Sequence, residues 1–253
     1  MFKGFYNLSS GMFTHGKHLN VISNNMANVS TTGFKSDCFT AQTFDEVMYS
    51  VVGNKIKNYE DIGGQSYITA PSENYTDFSQ GSFDQTGMPL DFAIEDLDGR
   101  GFFAIQTEGG VVYTRAGNFS LDDESYLSLP DHGRVLDTQG NEIQLVTDKI
   151  QCDDYGRIYT KNGTYLGQIG VYVFENTDAL EKDPMGMFTA NGAQPEAQPV
   201  KVHNGMLERS NVGLVQEMTK MITTQRAYQS VATATKIYDQ VMNRATSEIG
   251  RLQ

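Results

Sequence analysis

The chain has 253 residues, 39% of them hydrophobic, with a formal net charge of -12 and a mean hydropathy of -0.41. That length supports one large domain or two small ones, no apolar run approaches the ~20 residues that span a bilayer, and the polar positions after Met1-Phe2-Lys3-Gly4 do not form a secretory signal. Residues 1–36 carry three Lys and no acid, 207–253 six basic and four acidic residues, and 37–206 ten basic against twenty-seven acidic; so acidic a body disfavours nucleic acid and anionic lipid and reserves the near-neutral ends for packing.

In chain order, the first element is a helix from about Phe5 to Asn28. Leu8, Met12, His15, Leu19, Ile22 and Met26 alternate at spacings of four and three, the a/d pattern of a helix lying along another. Gly4, Gly11 and Gly16 each cost about 1 kcal/mol relative to Ala, so the helix is marginal alone. It runs into an amide- and hydroxyl-rich stretch that closes with a Thr31-Thr32-Gly33 turn. The Asn24, Asn25 and Asn28 group has two readings: a helix C-cap, or buried amides that fix register between subunits.

Phe39, Phe44, Val47, Met48, Val51 and Val52 suit a short helix or an extended arm, and residues 54–85 read as extended and polar. Strand signals dominate from Leu90 to Phe174. Phe102-Phe103-Ala104-Ile105 and Val111-Val112-Tyr113-Thr114 flank a turn at Glu108-Gly109-Gly110 and predict a hairpin. Gln168 to Phe174 reads as one strand, and regularly spaced turns argue for an antiparallel β-domain. Asn176 to Pro199 reads as an irregular return.

The last helix is expected from an N-cap at Ser210 or Asn211 to about Ile249, roughly 55–60 Å long. Its seam begins at Leu214 and Met218 and continues through Val231, Ala234, Tyr238, Val241, Ala245 and Leu252. The N-terminal helix covers about half of it, so the rest must meet another molecule or stay frayed. The expected fold class is α+β: N- and C-terminal helices paired in a coiled-coil-like domain (1–50 plus 205–253), an extended connecting arm (51–84) and a central antiparallel β-domain (85–204). The candidate assembly residues are Leu8, Met12, Leu19, Ile22, Asn24, Asn25, Met26, Asn28, Leu214, Met218, Met221, Tyr228, Val231, Tyr238, Val241, Ala245 and Leu252.

Candidate chemistry is sparse. Cys38 and Cys152 read as unpaired thiols, and His15, His18, His132 and His203 lack the companions of a zinc site. Asp96-Leu97-Asp98-Gly99 opens like a calcium loop but lacks the closing Glu, and Asp122-Asp123-Glu124 reads as a solvated turn. No phosphate-binding, nucleotide-binding or nucleophile-elbow motif appears. No catalytic residue, metal or cofactor is expected.

Three stretches nonetheless match a known pattern. Asn24-Asn25-Met26-Ala27-Asn28-Val29-Ser30-Thr31-Thr32-Gly33-Phe34-Lys35 resembles the N-terminal motif of bacterial flagellar rod and hook proteins, with Met26 in place of the usual Leu. Gly101-Phe102-Phe103-Ala104 and Tyr113-Thr114-Arg115-Ala116-Gly117-Asn118-Phe119 resemble its central part, where Ser125 replaces a common turn Gly. Leu207-Glu208-Arg209-Ser210-Asn211-Val212, Glu217-Met218, Met221-Ile222 and Gln225-Arg226-Ala227-Tyr228 resemble its tail. The resemblance implies a structural subunit of the basal-body rod, nearest the proximal or distal rod proteins, with terminal helices lining a tube and the β-domain outside. It implies partners among copies of itself, other rod and hook proteins and the flagellar export apparatus, with passage through that apparatus in place of a cleaved signal, and no nucleic acid or membrane insertion. The other readings weighed are a hook-type subunit and a cell-wall-acting enzyme with its site in the β-domain.

Overall fold

A computed structural model describes residues 2–43, 47–51, 60–65, 69–145, 147, 150–183 and 185–249. The fold is α+β, and the chain divides into a helical unit (Met1–Met26, Asp37–Tyr75, Leu214–Gln253) and a β unit (Ala27–Ser36, Thr76–Gly213). Residues 27–36 and 205–213 thus belong with the strands, unlike the boundaries expected from sequence.

The helical unit is built on α1 (Phe2–Ala27) and α2 (Leu214–Ile249), close to the expected spans. The two run antiparallel: Gly4 faces Tyr238, Gly11 faces Val231 and Gly16 faces Tyr228, each near enough that an added Cβ would lie 3.3–3.9 Å from the partner side chain. The glycines read as weak points are therefore also the sockets into which α2 fits. Because Gly4 meets Tyr238 and α1 begins at Phe2, the last turns of α2, up to Ile249, run past the start of α1. Leu252 lies outside the described residues, as do Phe44 and Val52.

Strands β1 (Asp37–Cys38) and β2 (Ala41–Thr43) follow α1, then β3 (Val47–Val51), β4 (Glu60–Gln65), β5 (Thr69–Pro71) and β6 (Tyr75–Thr76). β2 pairs with β5 and β3 with β4, both antiparallel, so the segment is an extended ribbon and not a short helix. Thr14 of α1 donates to the Thr69 carbonyl at 3.1 Å and anchors that ribbon.

In the β unit, β7 (Phe83–Gln85) and β8 (Phe92–Glu95) precede the predicted hairpin, β9 (Gly101–Thr107) and β10 (Gly110–Thr114), joined by Glu108-Gly109. Then come β11 (Ser120–Leu121), β12 (Leu127–Leu129), β13 (Gly133–Val135), β14 (Ile150–Cys152), β15 (Arg157–Thr160), β16 (Tyr165–Gln168) and β17 (Val171–Val173). The return supplies β18 (Glu181–Lys182), β19 (Phe188–Thr189) and β20 (Glu196–Ala197), and β21 (Lys201–Asn204) and β22 (Met206–Glu208) complete the unit.

β9 is the axis. β10 covers one edge, while β17 and β13 share the other end to end. Successive side chains point to opposite faces, and both faces are covered. Phe103 and Ile105 join a core with Phe92, Ile94, Leu127 and Val171, while Phe102 and Ala104 join Tyr113, Phe174 and Phe188. That double cover explains the continuous apolar run, which has no exposed position.

Two expectations are corrected here. Residues 168–174 are not one strand: β16 ends at Gln168, and β17 starts in a different sheet. Gly170 makes the break, lying so close to the Asp137 carbonyl that no side chain fits. The 176–199 segment is likewise more ordered than read, since Phe188 pairs with Tyr113 and Glu196-Ala197 pair with β17.

Candidate assembly surface and the buried ionic cluster

Along α2 the inward positions are Glu217, Met221, Thr224, Tyr228, Val231, Thr235, Tyr238, Met242 and Ala245, all buried or half-buried. Their spacing alternates four and three throughout, as predicted, but the face is rotated from the one expected. Met221, Tyr228, Val231, Tyr238 and Ala245 lie on it. Leu214, Met218 and Val241 do not, being 41%, 47% and 59% exposed, and Val215, Ile222 and Ile237 join them at the surface.

The inner face thus includes the polar Glu217 and Thr224 among its apolar positions, while six large aliphatic side chains lie exposed elsewhere on the helix, a departure from the usual amphipathic order. Two of the inner polar groups have partners on the helix itself. Glu217 accepts from Lys220 Nζ at 2.6 Å, and Thr235 donates to the Val231 carbonyl at 2.9 Å. The outer hydroxyls behave likewise. Thr219, Thr223, Ser230, Thr233 and Thr246 each donate to the carbonyl four residues back, at 2.8–3.0 Å. Those groups are paired within the helix, so burying this face orphans none of their protons. A shallow groove is lined by Ser230, Thr233 and Ala234, between Arg226 and Ile237.

On α1, Leu8, Met12, Leu19 and Met26 are half-buried, whereas Tyr6 and Phe13 are exposed seven residues apart. Ile22 is buried, which corrects its place among contact residues. Asn25 is corrected on both readings. Its Nδ2 donates to the Asp37 carbonyl at 2.8 Å and its Oδ1 accepts from the Asp37 N–H at 3.0 Å, so the amide clamps its own chain. Asn24 is exposed, and Asn28 accepts from Thr31 Oγ1 at 3.2 Å. Burial beside Phe39, with His15 and Lys220 nearby, lowers the His18 pKa; the Glu217 carboxylate opposes that.

The β unit holds a second constellation that periodicity does not reveal. Lys35, Arg115 and Glu208 are each 1% exposed. Lys35 Nζ lies 2.7 Å from Glu208 Oε1 and donates to the Ser79 carbonyl at 2.8 Å. Arg115 reaches Glu208 Oε2 at 3.5 Å and Asp96 Oδ2 at 3.2 Å, and its guanidinium lies 5.1 Å from the centre of the Phe102 ring. Arg115 Nε is buried without a hydrogen-bond partner among the described residues. Burial lowers the pKa of both cations, and Glu208 opposes the shift in each.

Backbone geometry seats these groups. Gly33 has φ +66°, donates to the Glu208 carbonyl at 2.8 Å, and lies so close to the Ala116 amide that no Cβ fits. Asn211, expected as a helix cap, instead accepts from the Ser36 N–H and donates to the Asp77 carbonyl, both at 2.8 Å. That use explains why α2 starts only at Leu214. Each member of the cluster lies in or beside a stretch singled out in the sequence, but nothing there marks these charges as buried partners of one another.

The other candidates for chemistry resolve into structure. Asp96 accepts from the Arg100 and Gly101 N–H groups and from Arg115, so the calcium-like turn is an anchor for the cluster. Asp122 accepts from the Glu124 and Tyr126 N–H groups, and Arg134 bridges Asp122, Glu124 and Glu142 while lying 4.1 Å from the Tyr126 ring centre. The Tyr126 N–H first, and Arg134 after it, hold the Asp122 pKa below its ordinary value. Ser125, where a turn Gly is common, takes φ +66° and completes the same turn. Cys38 and Cys152 are unpaired, and burial with nearby Asp153 and Asp154 pushes the Cys152 thiol up to about 12. No group of three or more metal-ligating side chains converges among the described residues.

Comparison with known proteins gives one consistent pattern. Residues 5–35 match the family described as flagella basal body rod protein, 96–154 the flagellar hook protein FlgE/F/G D1 domain, and 203–248 the flagellar basal body rod FlgEFG protein C-terminal family. The flagellar basal-body rod protein FlgG of Bacillus subtilis is 35% identical over 96% of this chain and 99% of its own length. The flagellar basal-body rod protein FlgF of Caulobacter vibrioides is 32% identical over 96% and 95%, and the flagellar hook-basal body complex protein FlhO of Bacillus subtilis 28% identical over the whole of both chains. The three matched segments each contain part of the constellation just described: Lys35, Asp96 with Arg115, and Glu208.

Proposed function

This chain belongs to the flagellar basal-body rod protein family and is a structural subunit of the basal body; from that premise we propose that it polymerises through its terminal helices into a helical tube. The observation that carries the proposal is the outer face of α2, with Leu214, Val215, Met218, Ile222, Ile237 and Val241 exposed and the hydroxyls between them already bonded to the backbone. Such a face has no use on an isolated chain, and a heterologous contact repeated without closure generates a filament. The partners are further copies of this chain and other rod or hook subunits. Torque passes through the packed helices, and the chain reaches its site through the flagellar export apparatus, without a cleaved signal.

The engagement of Asp122 and Glu124 with Arg134 supports a structural part in preference to cell-wall hydrolysis. The test is Ile222→Asp. Purified, this variant should unfold within about 0.5 kcal/mol of the parent, since the position is exposed. Expressed in place of the parent in its host, it should be absent from isolated basal bodies and abolish swimming. Normal incorporation would remove the outer face of α2 from the interface.

A further inference from the structure

The buried cluster has a property beyond holding strands together: its charges arrive in a fixed order. Lys35 and Arg115 are separated along the chain from Glu208 by 173 and 93 residues, and both cations precede the anion. Synthesis runs from the N-terminus, so Lys35 exists long before its carboxylate partner, whereas Arg115 is preceded by its other partner, Asp96.

We propose that Glu208 is the keystone of an ionic latch on which closure of the whole β unit, its central strand included, depends. Three distant segments meet at this one carboxylate and its backbone. The side chain accepts from Lys35 Nζ, from the Gly81 N–H at 2.8 Å and from Arg115, while its carbonyl accepts from Gly33. Its strand, β22, pairs with β7.

The members are not equivalent. Without Glu208, Lys35 keeps only the Ser79 carbonyl, and Arg115 only Asp96, so the site closes over an excess cation. Without Lys35, Glu208 still has Arg115 and the Gly81 N–H, and Asp96 has the Arg100 and Gly101 N–H groups, so the anions remain solvated by the protein. Breaking a buried pair is costly because of the charge left behind. Arg115 also lies against Phe102 in the central strand, so expelling the guanidinium to water disturbs the core itself. The latch therefore acts on β9 and not on the edge alone.

The experiment is hydrogen exchange on the full-length protein, read at the β9 and β10 amides, for the parent, Glu208→Gln, Lys35→Met and the double variant. Glu208→Gln should lower protection there by on the order of a hundredfold or more. Lys35→Met alone should cost clearly less, and adding it to Glu208→Gln should restore protection, because it removes the stranded cation. If Glu208→Gln is recovered unfolded, the same rescue is read as return of folded protein in the double variant. Loss of protection confined to β22 and residues 33–36 would overturn the latch. So would a double variant no better folded than Glu208→Gln.

Discussion

The two units solve opposite problems. The β unit closes on itself: its axial strand is covered on both faces, its charged groups are paired below the surface, and its turns are locked by Asp96 and Asp122. The helical unit leaves large aliphatic side chains exposed while Glu217, Thr224 and Thr235 sit in its seam among Met221, Tyr228, Val231 and Tyr238. One part is closed within the single chain, and the other keeps apolar surface exposed. Polarity alone does not identify a core; what matters is whether each polar group already has a partner where it sits.

The comparison breaks most sharply at Gly33. Gly33→Ala forces a left-handed alanine into the Ala116 backbone and should destabilise the β unit by about 3 kcal/mol or more. Protection of the β9 amides should collapse while α2 keeps its own. Loss of both together would mean that the two units do not stand as separate cooperative bodies. Asn25→Ala, the converse change, removes two hydrogen bonds to Asp37 and should cost about 1–3 kcal/mol, read as faster exchange in the last turns of α1 and unchanged exchange in β9. The smallest effect sharpens the picture in the other direction. Ser125→Gly relieves a positive φ and should raise the thermal stability of the β unit by about 0.5–1 kcal/mol, provided the Asp122 turn survives. A lower melting temperature would show that the serine hydroxyl contributes more than its backbone costs.

Much of this was legible in the sequence. Both helices and the 108–109 hairpin follow from period and turn chemistry. The rotation of the α2 seam does not. Where apolar residues occupy both faces, a 4–3 spacing fits Met218 as well as Met221, and only the three-dimensional partner decides between them. The Lys35–Glu208 pair is hidden for a different reason: Lys and Glu are overwhelmingly surface residues, and no local rule links positions 173 apart. The signal was present only as motif membership, since Gly33-Phe34-Lys35 and Leu207-Glu208 had already been marked. Gly170, within an otherwise good strand pattern, was the available warning that 168–174 would break.

The three glycines of α1 acquire a meaning that helix propensity misses. Each removes a side chain where Tyr238, Val231 or Tyr228 of α2 fits, so the loss of intrinsic helicity and the gain of fit come from the same missing atoms. A helix made of alanines would hold its shape anywhere and recognise nothing in particular. One notched at Gly4, Gly11 and Gly16 is poorly ordered in water and well ordered against a surface with rings and branches at matching heights. The notches turn a weakness of the free chain into a test of identity: the helix becomes rigid only where the right neighbour is there to read it.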